Sequence, residues 1–562
     1  MDSQKAENLL NLALSVTEEE RRASEILQVG FDEESKRWEL IIRCRNDLEE
    51  FQKAFPQVAI YPLWNSYAVL SVPQQQVEAV TAWPDIMYVE KPKQLYFELT
   101  QGKAASCINP LQYGSKRLSG KGVLIAIIDS GIDYRHSDFR NENGKTRILK
   151  LWDQNTGKVY GEEEINEALE KEDSSLSVDL SGHGTAVAGI AAGNGSESKG
   201  AIRGIAYESK LLVVKLGNSE SESFPRTTQL MRGVQFVAEQ AEKLRMPLVI
   251  NLSFGNSYGS HDGSSLLESY LDAMADSGRY CIVTGSGNEG SGEGHYIGRL
   301  TAGREEMAEL SVAPYESGLN LQIWKSYLDT FGLILQSPSG VQAGPISPVL
   351  GSQELLFEEA KVLLYYGKPS PYSMAQEIFL DFLPRSSYLG SGIWKIRFLP
   401  EKIVDGRVDL WLPVNGVRNR ATRFLQPNPD TTLTIPSTAA KLVSVGAYNS
   451  TYASLTDFSG NGFTRDHRSA KPDLVAPGVG IVTTHVGGGY EAVTGTSFAA
   501  PFVTGTAALL MEWGLLQGND PYLYGEKMKA FLLRGAKDVA GITKYPDPLV
   551  GYGALCAADS LT

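Results

Sequence analysis

At 562 residues the chain is longer than one hydrophobic core comfortably serves, so two to four domains are expected. Apolar residues make up 42% and charged residues 21%, which excludes a disordered or fibrous chain. A net charge of −14 argues against nucleic acid or an anionic membrane surface as a partner. The first residues, MDSQKAENLLNLALSVTEEERR, carry neither a basic leader nor a long apolar core, so no secretory signal is expected. No uncharged apolar run approaches the roughly 18 residues of a membrane span, and none is expected. The four cysteines, Cys44, Cys107, Cys281 and Cys556, lack CxxC or metal-type spacing. They read as reduced, mostly buried thiols in a cytosol-like compartment.

In chain order, residues 1–36 are polar and helix-prone, with a capping-box pattern at Thr17–Glu20. Residues 37–92 then alternate compactly. RWELIIRCR reads as a strand, DLEEFQKAF as a short amphipathic helix, and VAIYPLW and SYAVLSV as two strands. QQQVEAVTAW follows as a helix and DIMYVEKP as a last strand. The order β-α-β-β-α-β is the ferredoxin-like pattern. LYFELTQGKAASCINP (95–110) reads as an extended segment without helical periodicity. KGVLIAIIDSGID is a continuous apolar run ending at Asp129, as a strand buried on both faces of a parallel sheet reads. SKLLVVKLG, PLVINLSFG and RYCIVTGSGN continue as strands, separated by helical TTQLMRGVQFVAEQAEKL and SLLESYLDAMADSG. This alternation predicts a doubly wound α/β fold. From about 295 to 430 the helical periods vanish and six strand-like runs appear, among them LNLQIWK, KVLLYYG and RVDLWLPV. An all-β, jelly-roll-like domain is therefore expected as an insertion, with α/β character resuming at STAAKLVSVGAYN.

Four polar residues stand beside glycines where buried elements start or stop. Asp129 lies in DSG after the first buried strand, where doubly wound sheets gather ligands. His183 lies in SGHGT before a small-residue helix, and Asn288 in GSGNEG after another buried strand. Ser497 lies in GTSFAAP before a long apolar run. Singly, each has an ordinary explanation: a turn, a helix start, a turn, and a helix N-cap. Together, an acid, a histidine and a serine at the edge of one sheet are what acyl transfer needs. Their order, Asp…His…Ser, separates the arrangement from the chymotrypsin-like and α/β-hydrolase orders.

Asp129-Ser130-Gly131, His183-Gly184-Thr185 and Gly495-Thr496-Ser497-Phe498-Ala499-Ala500-Pro501 resemble the three motifs of the subtilisin-like (subtilase, S8-type) serine proteases. The resemblance implies a subtilisin-like fold and peptide-bond hydrolysis with Ser497 as nucleophile, His183 as base and Asp129 as its orienting acid. Asn288 matches the side-chain oxyanion donor, with the Ser497 backbone N–H as the second. Ser253, Phe254 and Gly255 match the strand that pairs with the substrate backbone, and Leu216 and Gly217 the opposite wall. Asp133 and Asp138 read as loop residues. No cofactor is implied for catalysis and no metal site is expected. Some subtilases hold structural calcium, but no run here has a convincing calcium-loop spacing.

The ferredoxin-like segment is then expected to be a propeptide, a chaperone and inhibitor whose tail lies in the active-site cleft. Self-cleavage is expected within 96–105, near Gln101-Gly102. The domains so defined are 1–101, 102–294, 295–430 and 431–562, the second and fourth forming the catalytic domain. The layout resembles the clostridial Csp-type germination proteases, which cleave the zymogen of a spore cortex-lytic enzyme. It implies a protein or peptide substrate and a cytoplasmic or spore-associated location. Two alternatives stay open: a propeptide-occluded pseudoprotease that signals or binds, and a general intracellular degradative protease.

Overall fold

The computed structural model describes all residues except 1–4, 24, 29, 47, 64–65, 93–97, 217–224, 372 and 562. The chain divides into two compact units, Met1–Tyr96 and Phe97–Thr562. The division falls at 96, rather than at the expected 101.

The first unit has the expected ferredoxin-like order. Strands Arg37–Cys44, Ala59–Pro62, Tyr67–Pro73 and Ile86–Glu90 are interleaved with helices Glu49–Ala54 and Val77–Ala82. In the sheet, Ile86–Glu90 and Tyr67–Pro73 flank Arg37–Cys44, and Ala59–Pro62 lies outside Tyr67–Pro73. All these pairings are antiparallel. Arg37–Cys44 alternates in burial, sending Trp38, Leu40 and Ile42 into one core while Glu39, Ile41 and Arg43 face out. That period of two fixes its register, since a one-residue slip would turn the apolar set to solvent.

The second unit is built on a parallel sheet of seven strands, with an antiparallel strand, Lys158–Gly161, at one edge and a short one, Ser454–Leu455, paired to the inner strand Val443–Asn449. The parallel order is Ile148–Asp153, Lys210–Lys215, Leu124–Asp129, Leu248–Leu252, Tyr280–Gly285, Val443–Asn449 and Leu474–Pro477. Helices cover both faces. Ile125 and Ile127 pack with helices His183–Ala192 and Thr496–Met511, while Leu124, Ala126 and Ile128 pack with Thr227–Leu244. Alternate residues of one strand thus enter two cores, which is why the run is apolar at every position. Helix Thr496–Met511, continued to Leu516, is long and apolar enough to cross a membrane by composition. However, 83% of its most apolar window is buried, as in the core helix of a domain.

The β insertion spans His295–Phe424 and consists of two antiparallel sheets sharing one core. Each of the six runs read as strands is one. Trp411, at the end of strand Arg407–Trp411, joins the insertion to the α/β part. Its ring is stacked between His261, at 4.1 Å, and His295, at 4.6 Å.

Two expectations are corrected. Residues 95–110 are not extended: Glu98–Ala105 and Asn109–Tyr113 are helices. Gly102 is buried so closely that a Cβ there would lie 2.7 Å from the Phe502 ring. This packing stabilises a helix that local periodicity does not announce. Nor are all cysteines free thiols. Cys107 and Cys556 form a disulfide, while Cys44 and Cys281 are buried thiols. The pairing was hidden because 449 residues separate its members.

Candidate active site

The order of the parallel strands reverses around Leu124–Asp129, which lies between Lys210–Lys215 and Leu248–Leu252. Ligands of open α/β sheets collect at such a reversal, beyond the carboxyl ends of the strands. Asp129 is the last residue of that strand and is fully buried. Its Oδ1 accepts hydrogen bonds from His183 Nδ1 and from the Ser130 N–H, each at 2.7 Å. The bond at Nδ1 leaves Nε2 of the imidazole available to take a proton.

His183 opens the helix His183–Ala192, and a buried network holds that helix end against Asp129. Asp179, 2% exposed, accepts from the Gly182 and Thr185 N–H groups at 3.0 and 2.9 Å. It also accepts from the Thr185 and Ser130 hydroxyls at 2.6 and 2.8 Å. Ser130 Oγ accepts in turn from the Gly184 N–H at 3.0 Å. Gly184 must lack a side chain, since a Cβ would collide with the Gly131 carbonyl oxygen and lie 3.1 Å from Asp129 Cβ. The imidazole is flanked by Phe498 and Phe254, with ring centres 5.3 and 6.4 Å away. Burial pulls its pKa down. The charge and hydrogen bond of Asp129, with the charge of Asp179, outweigh this, and the pKa stands above its ordinary value.

Ser497 is the second residue of helix Thr496–Met511, where backbone N–H groups lack helical partners. Pro501 lies within that helix and has no N–H for the Ser497 carbonyl four residues earlier. Ser253 Oγ donates to that carbonyl instead, at 3.1 Å. Buried Asn251 supports the link: its Nδ2 donates to Ser253 Oγ at 2.9 Å, and its Oδ1 accepts from Thr504 Oγ1 at 2.8 Å. The Ser497 hydroxyl donates to the Ser253 carbonyl at 3.4 Å, so attack requires it to turn toward the imidazole. Asn288 Oδ1 accepts from the Thr496 N–H at 3.0 Å, capping the helix from another element. The amide is thus held through its oxygen beside the residue that precedes Ser497.

Asp129, His183, Asn288 and Ser497 thus stand around one helix end and one strand end. Ser253 borders them directly. Phe254, Gly255 and Leu216 line an apolar cavity of about 490 Å³ with Leu230, Leu267 and Val417, the last from the β insertion. Gly217 lies outside the described residues. The expected processing bond Gln101-Gly102 lies within helix Glu98–Ala105, with Gly102 buried. A protease reads extended backbone, so this bond is not presented to one in the folded unit. Asp133 is a buried loop residue bound to Thr185 and Gly487, whereas Asp138, expected in a loop, lies buried in the short 3₁₀ helix Ser137–Phe139 and is bound to Glu197 and Tyr490. Sequence reasoning missed Asp179, Asn251 and Thr504, and gave Thr185 no role beyond its place in a motif. Their signal was faint: Asn251 and Thr504 are polar residues interrupting apolar runs.

Comparison with known proteins gives a consistent result. Residues 120–312 and 415–553, more than half of the chain, match the profile of the subtilase family. Residues 4–93 match that of the Csp protease B prodomain. The solved structure of the Clostridium perfringens CspB protease is 38% identical, with a TM-score of 0.78, covering 82% of this chain and 96% of that one. Among curated proteins, the minor extracellular protease Vpr of Bacillus subtilis is 26% identical over 78% of this chain and 51% of its own length. The PII-type proteinase of Lactococcus lactis subsp. cremoris is 24% identical over 77% of this chain and 25% of its own. The chain therefore spans about half of one of these curated relatives and a quarter of the other.

Proposed function

The chain belongs to the subtilase family, with a Csp-type layout, and on that premise we propose that it is a serine endopeptidase. The observation that carries this reading is the 2.7 Å bond from His183 Nδ1 to Asp129, made beside the helix end that bears Ser497. Ser497 Oγ attacks the peptide carbonyl carbon as His183 Nε2 removes its proton. Asp129 holds the tautomer that leaves Nε2 free and stabilises the imidazolium. The carbonyl oxygen gains negative charge between the Asn288 amide and the Ser497 N–H, which stabilise it by hydrogen bonding. The imidazolium then protonates the leaving amine, and water, activated by the same imidazole, releases the acyl group.

Residues 4–93 act as this enzyme's propeptide, and the chain processes itself within 96–105. Cleavage there precedes formation of the Glu98–Ala105 helix, because a helical bond is not presented to a protease. The resemblance to Csp-type proteases favours a zymogen, such as that of a spore cortex-lytic enzyme, as the substrate. Intact-mass and N-terminal analysis of the purified wild type and Ser497→Ala tests this. Wild type should appear as two fragments cut within 96–105, and the variant as one chain. A single uncut wild-type chain that resists fluorophosphonate would instead favour a signalling pseudoprotease, and indiscriminate cleavage of a proteome a degradative enzyme.

A further inference from the structure

Thr434 lies where the chain returns from the β insertion, and its surroundings bear on which peptide bonds the site accepts. The backbone here is tied to two segments of the active site. Ile435 exchanges hydrogen bonds with Asn256, 2.8 Å from its N–H and 3.0 Å to its carbonyl, beside the Ser253–Gly255 segment. The Thr434 N–H donates to the Ser286 carbonyl at 3.0 Å, beside Gly287 and Asn288. The Thr434 carbonyl accepts from the Ser437 N–H at 2.7 Å and the Ser437 hydroxyl at 2.5 Å, which fixes the residue further. Thr434 is 5% exposed.

Its side chain fills the space between the two segments. A Cβ on Gly255 would lie 2.6 Å from Thr434 Cβ and closer still to its Oγ1. A Cβ on Gly287 would lie 2.5 Å from Thr434 Cγ2 and 3.0 Å from its Cβ. Atoms do not approach so closely in packed interiors, so one threonine occupies room that a side chain on either glycine would need.

The same two segments bracket the reacting bond. Ser253 exchanges contacts with Ser497, 3.1 Å to its carbonyl and 3.4 Å from its hydroxyl, so one segment begins at the nucleophile. The other ends at Asn288, whose Oδ1 caps the helix bearing Ser497. A carbonyl attacked by Ser497, with its oxygen toward the Asn288 amide, directs the side chain on its acyl side into the gap between them. We propose that Thr434 makes this gap shallow and confines the enzyme to bonds that follow a small residue: glycine, alanine or serine. The proposal rests on the endopeptidase reading above. A hydroxyl and a methyl in the floor of a pocket reject bulk sterically, since neither neighbouring segment has free room to yield.

Three serine-directed probes test it on the purified full chain, with labelling of Ser497 read by mass spectrometry. One is a plain alkyl fluorophosphonate, which reports on the nucleophile. The others are α-aminoalkyl diphenyl phosphonates bearing a methyl or a benzyl side chain, which report on the gap. The fluorophosphonate should label Ser497, and the methyl probe should react more than about tenfold faster than the benzyl one. Thr434→Gly should narrow that ratio by about tenfold or more. Thr434→Ser, which removes only the γ-methyl, should narrow it less and serves if the glycine variant unfolds. Equal rates in the wild type, or a ratio unmoved in a folded variant, would overturn the proposal and leave the endopeptidase reading intact. Failure of every probe to reach Ser497 would overturn that reading, and the proposal with it.

Discussion

At His183 two opposed effects set the working pH. Burial favours the neutral imidazole, while Asp129 and, more weakly, Asp179 favour the charged one and prevail, so the pKa lies above 6.5. A general base acts only when neutral, so kcat/KM should rise with pH along a limb centred above 6.5. Asp129→Asn removes the raising charge and the tautomer control together. It should shift that limb to lower pH and reduce kcat by about 10⁴-fold. A pH–rate profile checks both; a limb that does not move would mean that another group titrates. Asn288 Oδ1 caps the Thr496 N–H, and in the proposed mechanism its amide nitrogen serves the developing oxyanion. Asn288→Ala should lower kcat by about 10²–10³-fold with little change in KM. Steady-state kinetics on one peptide would show otherwise if KM alone rose.

Among the elements, helix Thr496–Met511 shows how a local irregularity is turned to use. Pro501 deprives the Ser497 carbonyl of its helical donor, and Ser253, held by Asn251 and Thr504, replaces it. The missing bond becomes a tie between Ser497 and the Ser253–Gly255 segment. The β insertion is fastened by a comparable device. Trp411 is 2% exposed, stacked between His261 and His295, and donates from Nε1 to the Thr431 carbonyl at 3.2 Å. Trp411→Ala should cost roughly 3–5 kcal/mol in denaturant unfolding. A loss below about 1 kcal/mol would show that the stack is not what holds the insertion.

For the whole second unit, the disulfide between Cys107 and Cys556 ties the first residues to the last. The Ala557 N–H donates to the Ser106 carbonyl at 2.8 Å beside it. A cross-link spanning so much chain restricts the unfolded state, and disulfides typically contribute about 2–4 kcal/mol. Peptide mapping without reductant should recover both cysteines in one linked fragment. Cys107→Ser should lower the unfolding free energy by a comparable amount. Two free thiols in the mapped protein would refute the pairing.

Much of this molecule is legible in its sequence. VLIAIID, PLVINL and YCIVTG are apolar at every position because both faces of their strands are buried, and that pattern needs no knowledge of partners. Helix Thr227–Leu244 is written in its own 3.6-residue period, and strand Arg37–Cys44 in its period of two. Asp129, His183, Asn288 and Ser497 stand out as glycine-flanked polar residues at the ends of such elements. The tertiary structure alone decided the rest. Glu98–Ala105 is helical because Phe502 packs against Gly102; Cys107 meets Cys556 because the fold joins distant segments. Asp179 and Asn251 matter because of the groups brought to them, and Thr434 because two glycines close around it. The physical reason is range. Periodicity and turn chemistry act over a few residues and can be read locally, whereas buried hydrogen bonds, cross-links and the depth of a pocket depend on which remote segments the fold brings together.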